Sequence, residues 1–244
     1  MMWGLSQSVV ALLASLTAGV VTTLGVLAIS RHARLARRYA AYFVGFAAGI
    51  LITVSLMHLL PHSAQMVDYA PGLWLGGFLI LYFSDRLVER YLLTTASKRW
   101  GIISMLGIGY HSLLDGVIYM VTFNVSIFTG VLSAVGMILH EFPEGVVTFA
   151  LLTEGGFDRR RAAIYTLLAA ALSTPLGALV AYPFVRTIDR STLGVLLALA
   201  GGALLFVGTT HLLPKLTEET SRRGGSVALL AGIVVGWLII RLGH

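Results

Sequence analysis

Long apolar runs separated by short polar segments make up the chain. Eight runs approach the length of about 20 residues that a helix needs to cross a bilayer. Their apolar residues are continuous rather than alternating, which favours helices over the strands of a membrane barrel. The pattern predicts an all-α polytopic membrane protein, a single transmembrane domain over residues 1–244. Its helices 1 to 8 are expected at approximately 8–29, 40–60, 72–92, 101–123, 127–152, 162–186, 192–214 and 226–241.

Composition supports this interpretation. The 244 residues are 57% hydrophobic and only 11% charged, whereas a soluble domain carries about 25% charged residues. The sequence contains no cysteine, which excludes disulfides and thiolate metal sites. The first residues, MMWGLSQSVV, lack the basic segment of a signal peptide, so the first apolar run is interpreted as a membrane helix.

Basic residues predict the orientation. The net charge of +6 does not indicate a nucleic-acid partner, because the basic residues form short clusters after helices 1, 3, 5 and 7. Three of the 17, Arg186, Arg190 and Arg241, fall on the other side. Cytoplasmic loops are enriched in Lys and Arg. Both termini are therefore expected outside, in a plasma (cell inner) membrane. The clusters contain Arg31, Arg34, Arg37, Arg38, Arg86, Arg90, Lys98, Arg99, Arg159, Arg160, Arg161, Lys215, Arg222 and Arg223.

A short motif occurs twice. Helix 2 ends with MHLLPHS and helix 7 with THLLPKL. With the predicted orientation, the two HLLP copies lie at opposite membrane faces. This placement is what an inverted repeat of helices 1–3 and 6–8 around a central pair requires.

Ionisable residues in the middle of membrane helices indicate function, because each is costly unless paired or solvated. In helix 4, His111 and Asp115 are four residues apart and share a face; in helix 5, His140 and Glu144 repeat this spacing. Both pairs lie about half-way along their helices. Two imidazoles and two carboxylates form a ligand set suited to Zn²⁺, Fe²⁺ or Mn²⁺. The sequence therefore predicts a primary metal site at this depth.

Three residues beside these pairs have expected backbone roles. Pro143 removes an N–H, so it is expected to break helix 5 and free the Leu139 carbonyl. Gly116 and Gly145 are expected to let helices 4 and 5 approach each other closely.

Other interpretations remain. The two pairs could be interhelical salt bridges in a metal-free scaffold. HEFPE matches half of the HExxH metalloprotease motif, which leaves an intramembrane metal-dependent hydrolase as the alternative function. However, position 144 is Glu rather than His. His58 and His62 near the outer end of helix 2, and His211 near the inner end of helix 7, are interpreted as stations on an ion pathway. Alternatively, these three face headgroups or water.

HSLLDG in helix 4 and HEFPEG in helix 5 resemble the paired signatures of ZIP (Zrt/Irt-like) divalent-metal transporters. HLLP in helix 2, STPLGAL in helix 6 and the eight-helix plan are similar to that family too. The resemblance implies a 3+2+3 helix arrangement, often dimeric, that carries zinc or a related metal into the cytoplasm by alternating access. The metal is then a substrate, with no catalytic cofactor and no enzymatic activity. Zinc is the first expectation, and iron, manganese, cobalt and cadmium also suit the ligands.

The resemblance also implies a second metal position, with ligands at Ser112, Glu141, Glu144 and Thr174. Here the chain departs from many relatives, which have Asn in place of Ser112 and Glu in place of Thr174. Hydroxyls are weaker ligands than carboxylates. One strong site is therefore expected, with the second weak or absent.

Overall fold

The computed structural model describes residues 6–92, 97–185, 187–218 and 222–242. Within these ranges all regular structure is helical and no strand occurs, which confirms the all-α prediction. Arg186, the predicted last residue of helix 6, lies outside the described residues. In the described part of the chain, six helices are long and apolar enough to cross a membrane: Gln7–Arg31, Tyr39–Ala64, Ile127–Glu154, Arg159–Val185, Arg190–Leu212 and Gly224–Leu242.

We number the helices in chain order and treat contiguous helical pieces as one. α1 is Gln7–Arg31, α3 is Ala70–Leu92, α4 is Ser97–Val125, α5 is Ile127–Glu154 and α8 is Arg222–Leu242. α2 comprises Ala33–Val54, Ser55–Leu59 and Leu60–Ala64; α6 comprises Arg159–Thr166, Leu167–Ala171 and Ser173–Val185; α7 comprises Arg190–Phe206, Val207–Leu212 and Leu213–Glu218.

The helices extend beyond several of the apolar runs because polar residues cap them outside the hydrophobic stretch. Asp189 accepts hydrogen bonds from the N–H groups of Ser191 and Thr192, and α7 begins at Arg190 instead of the predicted Thr192. Asp158 accepts one from the N–H of Arg161 at the start of α6. Such caps satisfy N–H groups that have no partner within the helix. Hydropathy identifies the apolar segment but not the capped ends.

Among the described residues, three helices contain a π-helical segment, in which the chain makes one wider turn. In α2 this segment is Ser55–Leu59 and in α7 it is Val207–Leu212. Each contains the histidine of an HLLP motif, His58 or His211, three residues before a proline. The third segment, Leu167–Ala171 in α6, precedes Pro175. Because proline has no N–H, the carbonyl four residues before it loses its helical partner, and the wider turn accommodates that loss.

Pro143 behaves differently from the expectation. α5 is continuous from Ile127 to Glu154 with Pro143 inside it, so no break occurs there. The proline removes one helical hydrogen bond, to the Leu139 carbonyl, but the flanking bonds still hold the helix together. Pro143 is itself buried.

The main helix–helix contacts occur in matching pairs. Each contact has a counterpart in which α1 is replaced by α6, α2 by α7, α3 by α8 and α4 by α5, or the reverse. α1 packs along α5 just as α6 packs along α4. Likewise α2 packs along α8, and α7 packs along α3. α4 and α5 contact each other at the centre, and α2 also packs on α5. The central pair is therefore enclosed by α1, α2 and α6.

Close backbone approaches join the central pair to α1 and α6. A Cβ atom added to Gly177 would collide with the Leu113 carbonyl oxygen of α4, and one on Gly25 with the Phe142 carbonyl oxygen of α5. Small residues permit such approaches between membrane helices. Each of these contacts fixes the backbone beside a predicted metal ligand.

The expected role of Gly116 and Gly145 was wrong in one respect. A Cβ atom on Gly116 would meet the Thr174 carbonyl of α6, and one on Gly145 the Thr22 carbonyl of α1. The two glycines therefore admit the outer helices α6 and α1 rather than bringing α4 and α5 together.

We predict that Gly177→Ala lowers the thermal stability of the protein in detergent. The added methyl group must displace the backbone of α4, and overpacking of this kind costs about 1–3 kcal/mol. For a chain of this size, that corresponds to a melting temperature lower by roughly 2–10 °C. Gly72→Ala is the matched control, because a Cβ atom there has no neighbour within 4 Å. Equal melting temperatures for the two variants would contradict the close contact of α4 with α6.

Candidate metal centre

The centre begins with His111 and Asp115 at the middle of α4. Their four-residue spacing places both side chains on one face, and His111 Nε2 lies 3.5 Å from Asp115 Oδ2. Both residues are buried, with 4% and 1% of their side-chain surface exposed. Burial at this depth makes Asp115 dependent on nearby positive charge or hydrogen-bond donors.

His140 and Glu144 form the matching pair at the middle of α5. His140 Nε2 lies 3.8 Å from Glu144 Oε2 and 3.2 Å from Asp115 Oδ2 on the neighbouring helix. The same Asp115 oxygen therefore lies between the two histidines. The His111 and His140 rings meet edge to face with their centroids 6.1 Å apart.

These distances suit a divalent ion. Two overlapping groups each have ligand atoms within 4.8 Å of one another: His111, Asp115 and His140, and then Asp115, His140, Glu141 and Glu144. A tetrahedral ion with bonds near 2.0–2.1 Å separates its ligand atoms by about 3.3 Å. The separations of 3.2, 3.5 and 3.8 Å lie close to that value. The four residues of the predicted primary site thus lie together, with Asp115 and His140 common to both groups.

Glu141 is fully buried beside this cluster and is held by two hydroxyl groups. Thr22 of α1 donates a hydrogen bond to Glu141 Oε2 at 2.5 Å, and Thr174 of α6 donates to Oε1 at 2.9 Å. Each carboxylate oxygen thus has one donor from a flanking helix. Such charge-assisted bonds are stronger than neutral ones, so they hold an ionised Glu141 in a defined orientation.

The second predicted set is also brought together. Ser112 is buried and lies on α4, where its hydroxyl donates to the Ile108 carbonyl at 3.0 Å and approaches Glu144 Oε1 at 3.4 Å. Thr174 contacts Glu141, as described above. In this arrangement the Thr174 hydroxyl donates to Glu141, while the single proton of the Ser112 hydroxyl is shared between the Ile108 carbonyl and Glu144. Glu141 and Glu144 supply all the formal negative charge of the set.

Thr22 is a site residue that the sequence reasoning missed. A signal for it exists: TTLGVL at residues 22–27 matches TPLGAL at residues 174–179 in four of six positions. The match aligns Thr22 with Thr174, both bound to Glu141, and Gly25 with Gly177, both at close helix approaches. A search for a second inverted repeat, in addition to HLLP, would have found it.

His211, the histidine predicted to lie on the ion pathway near the end of α7, lies directly against the centre. Its ring stacks on that of His111, with centroids 5.0 Å apart and planes 18° apart. Its Nδ1 atom lies 3.7 Å from Asp85 Oδ2 of α3, a partly exposed carboxylate. The contacts therefore run from His140 through Asp115, His111 and His211 to Asp85.

His58 and His62 are not part of this cluster. They lie in the C-terminal part of α2. An open cavity of about 320 Å³ is lined by Met57, His58, Pro61, His62, Gln65, Ser126, Phe128 and Thr129. His58 Nε2 lies 3.0 Å from Thr129 Oγ1, and its ring is 5.8 Å from that of His62. The two predicted pathway histidines of α2 thus line the same open cavity.

Comparisons with known proteins agree with this chemistry. A family model described as ZIP Zinc transporter matches residues 5–99 and 91–242. The chain is 22% identical to the zinc transporter ZupT of Clostridium perfringens, over 95% of each chain. It is 28% identical to ZupT of Chlorobium luteolum, over 92% of this chain and 94% of that one. It is also 29% identical to the zinc transporter ZIP13 of Pongo abelii, over 79% of this chain and 64% of that one.

These matches cover the helices that carry the metal-ligand cluster. The named relatives are transporters and not enzymes, so the hydrolase alternative is not favoured. Metal-ion transport by an integral membrane protein follows. The chain belongs to the ZIP zinc transporter family.

Proposed function

We propose that this protein carries divalent transition-metal ions, zinc first among them, into the cytoplasm by alternating access through the cluster on α4 and α5. The observation that carries the proposal is the position of Asp115 Oδ2 between His111 Nε2 and His140 Nε2, at 3.5 and 3.2 Å. Three groups from two helices thus converge on a volume that one ion can occupy. Glu144 completes the primary ligand set.

Charge balance favours a divalent ion as the substrate. Asp115 and Glu144 together supply two negative charges, which a single divalent ion neutralises when both histidines are neutral. The loaded primary ligand set is then close to neutral, which reduces the cost of holding an ion in a low-dielectric interior. The neighbouring Glu141 carboxylate is stabilised separately, by hydrogen bonds from Thr22 and Thr174. A monovalent ion would leave one charge uncompensated there. Iron, manganese, cobalt and cadmium suit the same ligands as zinc.

The second metal position is proposed as a weak site. Its acids are Glu141 and the shared Glu144, while Ser112 and Thr174 contribute neutral hydroxyls that donate hydrogen bonds to these acids. A second divalent ion would have to displace those bonds and compete with the first ion for Glu144. We expect one tightly bound ion per chain.

An ion pathway is proposed from the cavity beside His58 and His62 to the primary site, and onward past His211. The stacking of His211 on His111 supports a direct transfer, since the two rings are adjacent. Asp85 beside His211 is partly exposed and offers the next carboxylate. The cavity lined by His58 and His62 offers two imidazoles to an entering ion, in the C-terminal part of α2.

The proposed architecture has eight transmembrane helices in a 3+2+3 arrangement, with both termini outside the plasma membrane and a homodimer as the expected assembly. The exchange of α1 with α6, α2 with α7 and α3 with α8 in the packing supports an inverted repeat. The π-helical segments in α2 and α7, at equivalent positions in the HLLP motifs, support it independently.

We predict that purified protein in liposomes takes up zinc and that His140→Ala and Glu144→Ala each reduce uptake by more than about tenfold. Each substitution deletes one ligand, and a lost metal ligand leaves the remaining buried charges uncompensated. Uptake would be measured with a panel of zinc, iron, manganese, cobalt and cadmium. Tyr165→Phe is the control, because Tyr165 packs against Phe157 away from the cluster. Unchanged flux in both ligand variants would refute the site assignment.

A second prediction concerns pH. Metal ligation requires neutral histidines and ionised carboxylates, so protons compete with the metal for the same groups. Histidine ordinarily titrates near pH 6.5; lowering the external pH from about 7.5 to 5.5 should therefore weaken zinc uptake. The measurement is initial uptake rate against zinc concentration at several pH values, with the internal pH held constant. A flat profile over this range would argue against ligation by the histidines.

A third prediction tests the orientation. Because the natural sequence has no cysteine, a single introduced cysteine reports one position without background. Asp68 and Arg160 are exposed, at opposite ends of the bundle. In intact cells a membrane-impermeant maleimide should label Asp68→Cys, but should label Arg160→Cys only after lysis. The reverse result would invert the topology.

A further inference from the structure

An open cavity of about 250 Å³ lies where α1 and α5 end and α6 begins, and none of the proposed metal ligands lines it. Most of its wall is apolar, formed by Ile29, Ala33, Phe149, Ala150 and Phe157. Ile29 and Phe149 belong to a buried hydrophobic cluster to which α1, α2, α5 and α6 all contribute. This part of the wall is therefore held in place by the packing of four helices.

The polar part of the wall carries an arginine whose charge is not balanced by its neighbour. Thr153, Asp158 and Arg159 line the cavity. Both oxygens of the Asp158 carboxylate are engaged by Arg161, whose backbone N–H donates to Oδ1 at 3.0 Å and whose Nε lies 3.3 Å from Oδ2. Asp158 is thus paired with Arg161 rather than with Arg159, whose side chain is exposed.

Positive charge also prevails in the chain around the cavity. Residues 29–33 and 149–161, which contain all the lining residues, include four arginines and two acids, a net charge of +2. The guanidinium group of arginine binds phosphate through two parallel hydrogen bonds. The cavity therefore favours a ligand with a phosphate or a similar anionic group. The four arginines, all exposed, are Arg31, Arg159, Arg160 and Arg161.

The position of the cavity indicates where such a ligand comes from. Helices α1, α5 and α6 are each long and apolar enough to cross a membrane, so the ends that frame the cavity lie near the boundary between hydrocarbon and headgroups. Pockets that enclose a whole drug-sized ligand measure about 300–1,000 Å³, and this cavity is smaller. Its occupant is therefore expected to place one apolar portion inside and to extend beyond it.

We propose that this cavity binds a phospholipid with a net negative headgroup, taken from the surrounding bilayer. The phosphate lies at Arg159, Arg160 adds positive charge beside it, and the apolar wall contacts the first part of an acyl chain. Basic pockets between transmembrane helices are a recurrent site for anionic lipids. Clustered arginines alone would be explained by membrane orientation, but orientation does not require an apolar cavity beside them. The inference is independent of metal transport.

The test measures binding of the first lipid to the purified full-length protein in detergent, by native mass spectrometry during titration with phosphatidylglycerol or phosphatidylcholine. Phosphatidylglycerol should bind at least about fivefold more tightly, which is the preference that one arginine near a charged lipid surface supplies. Arg159→Gln should lower this preference by about fivefold. Arg159→Lys keeps the charge and should retain most of it. Equal affinities for the two lipids in the unaltered protein would overturn the inference, as would an unchanged preference in Arg159→Gln.

Arg190→Gln is the matched control for a general effect of charge. Arg190 is also exposed and also follows a capping aspartate, Asp189, as the first residue of a helix. It does not line the cavity, so its substitution should leave the preference for phosphatidylglycerol unchanged. Equal losses in the Arg159 and Arg190 variants would indicate nonspecific attraction and would overturn the site.

Two further measurements test the apolar part of the site. Ala33→Trp, at an exposed position of the wall, fills part of the cavity without changing a charge and should weaken binding of phosphatidylglycerol. Unchanged binding in this variant would contradict the placement of the lipid. Glycerol phosphate, which lacks acyl chains, should not displace the bound lipid at millimolar concentration. Displacement would assign the site to soluble phosphate compounds and would overturn the lipid as its ligand.

Discussion

The placement of one carboxylate between two imidazoles is the interaction on which the centre of this protein depends. Asp115 is buried at the middle of α4, where an isolated negative charge would be prohibitively costly. Its Oδ2 atom lies within 3.5 Å of a histidine on its own helix and within 3.2 Å of one on α5. Asp115 therefore needs both helices at a fixed distance and rotation. A divalent ion in the same volume would replace this contact with bonds of its own.

Backbone packing supplies that fixed distance. The glycines of the central helices admit the carbonyl oxygens of α1 and α6, and glycines of α1 and α6 admit carbonyls of the central helices in return. Reciprocal approaches of this kind leave little room for α4 or α5 to rotate alone. The same two outer helices bring Thr22 and Thr174 to the Glu141 carboxylate. The close packing and the polar contacts therefore depend on the same helix faces, and a change to one disturbs the other.

The all-helical class and the central pairs could be predicted because each depends on local pattern: continuous apolar runs, and a spacing of four between His and acid. The sequence did not predict which helices contact each other, because a glycine permits a close approach without specifying the partner helix. Gly116 and Gly145 illustrate this, because both admit helices other than the expected ones. Helix continuity at Pro143 was missed for a related reason: a single proline removes one hydrogen bond, but the neighbouring bonds decide whether the helix breaks. His211 was assigned to the end of α7 by its position, yet its ring reaches back to His111.

The hydroxyl groups at Ser112 and Thr174 bear on how many ions the centre holds. A carboxylate at position 174 would place a second negative charge beside Glu141, and only an ion or a proton could offset that repulsion. A threonine there donates a hydrogen bond instead, so Glu141 is stabilised by the protein itself. Ser112 stands in a similar relation to Glu144. Hydroxyl groups of the protein thus stabilise the carboxylates that a second metal ion would otherwise stabilise. This is the physical reason for expecting a single strong site.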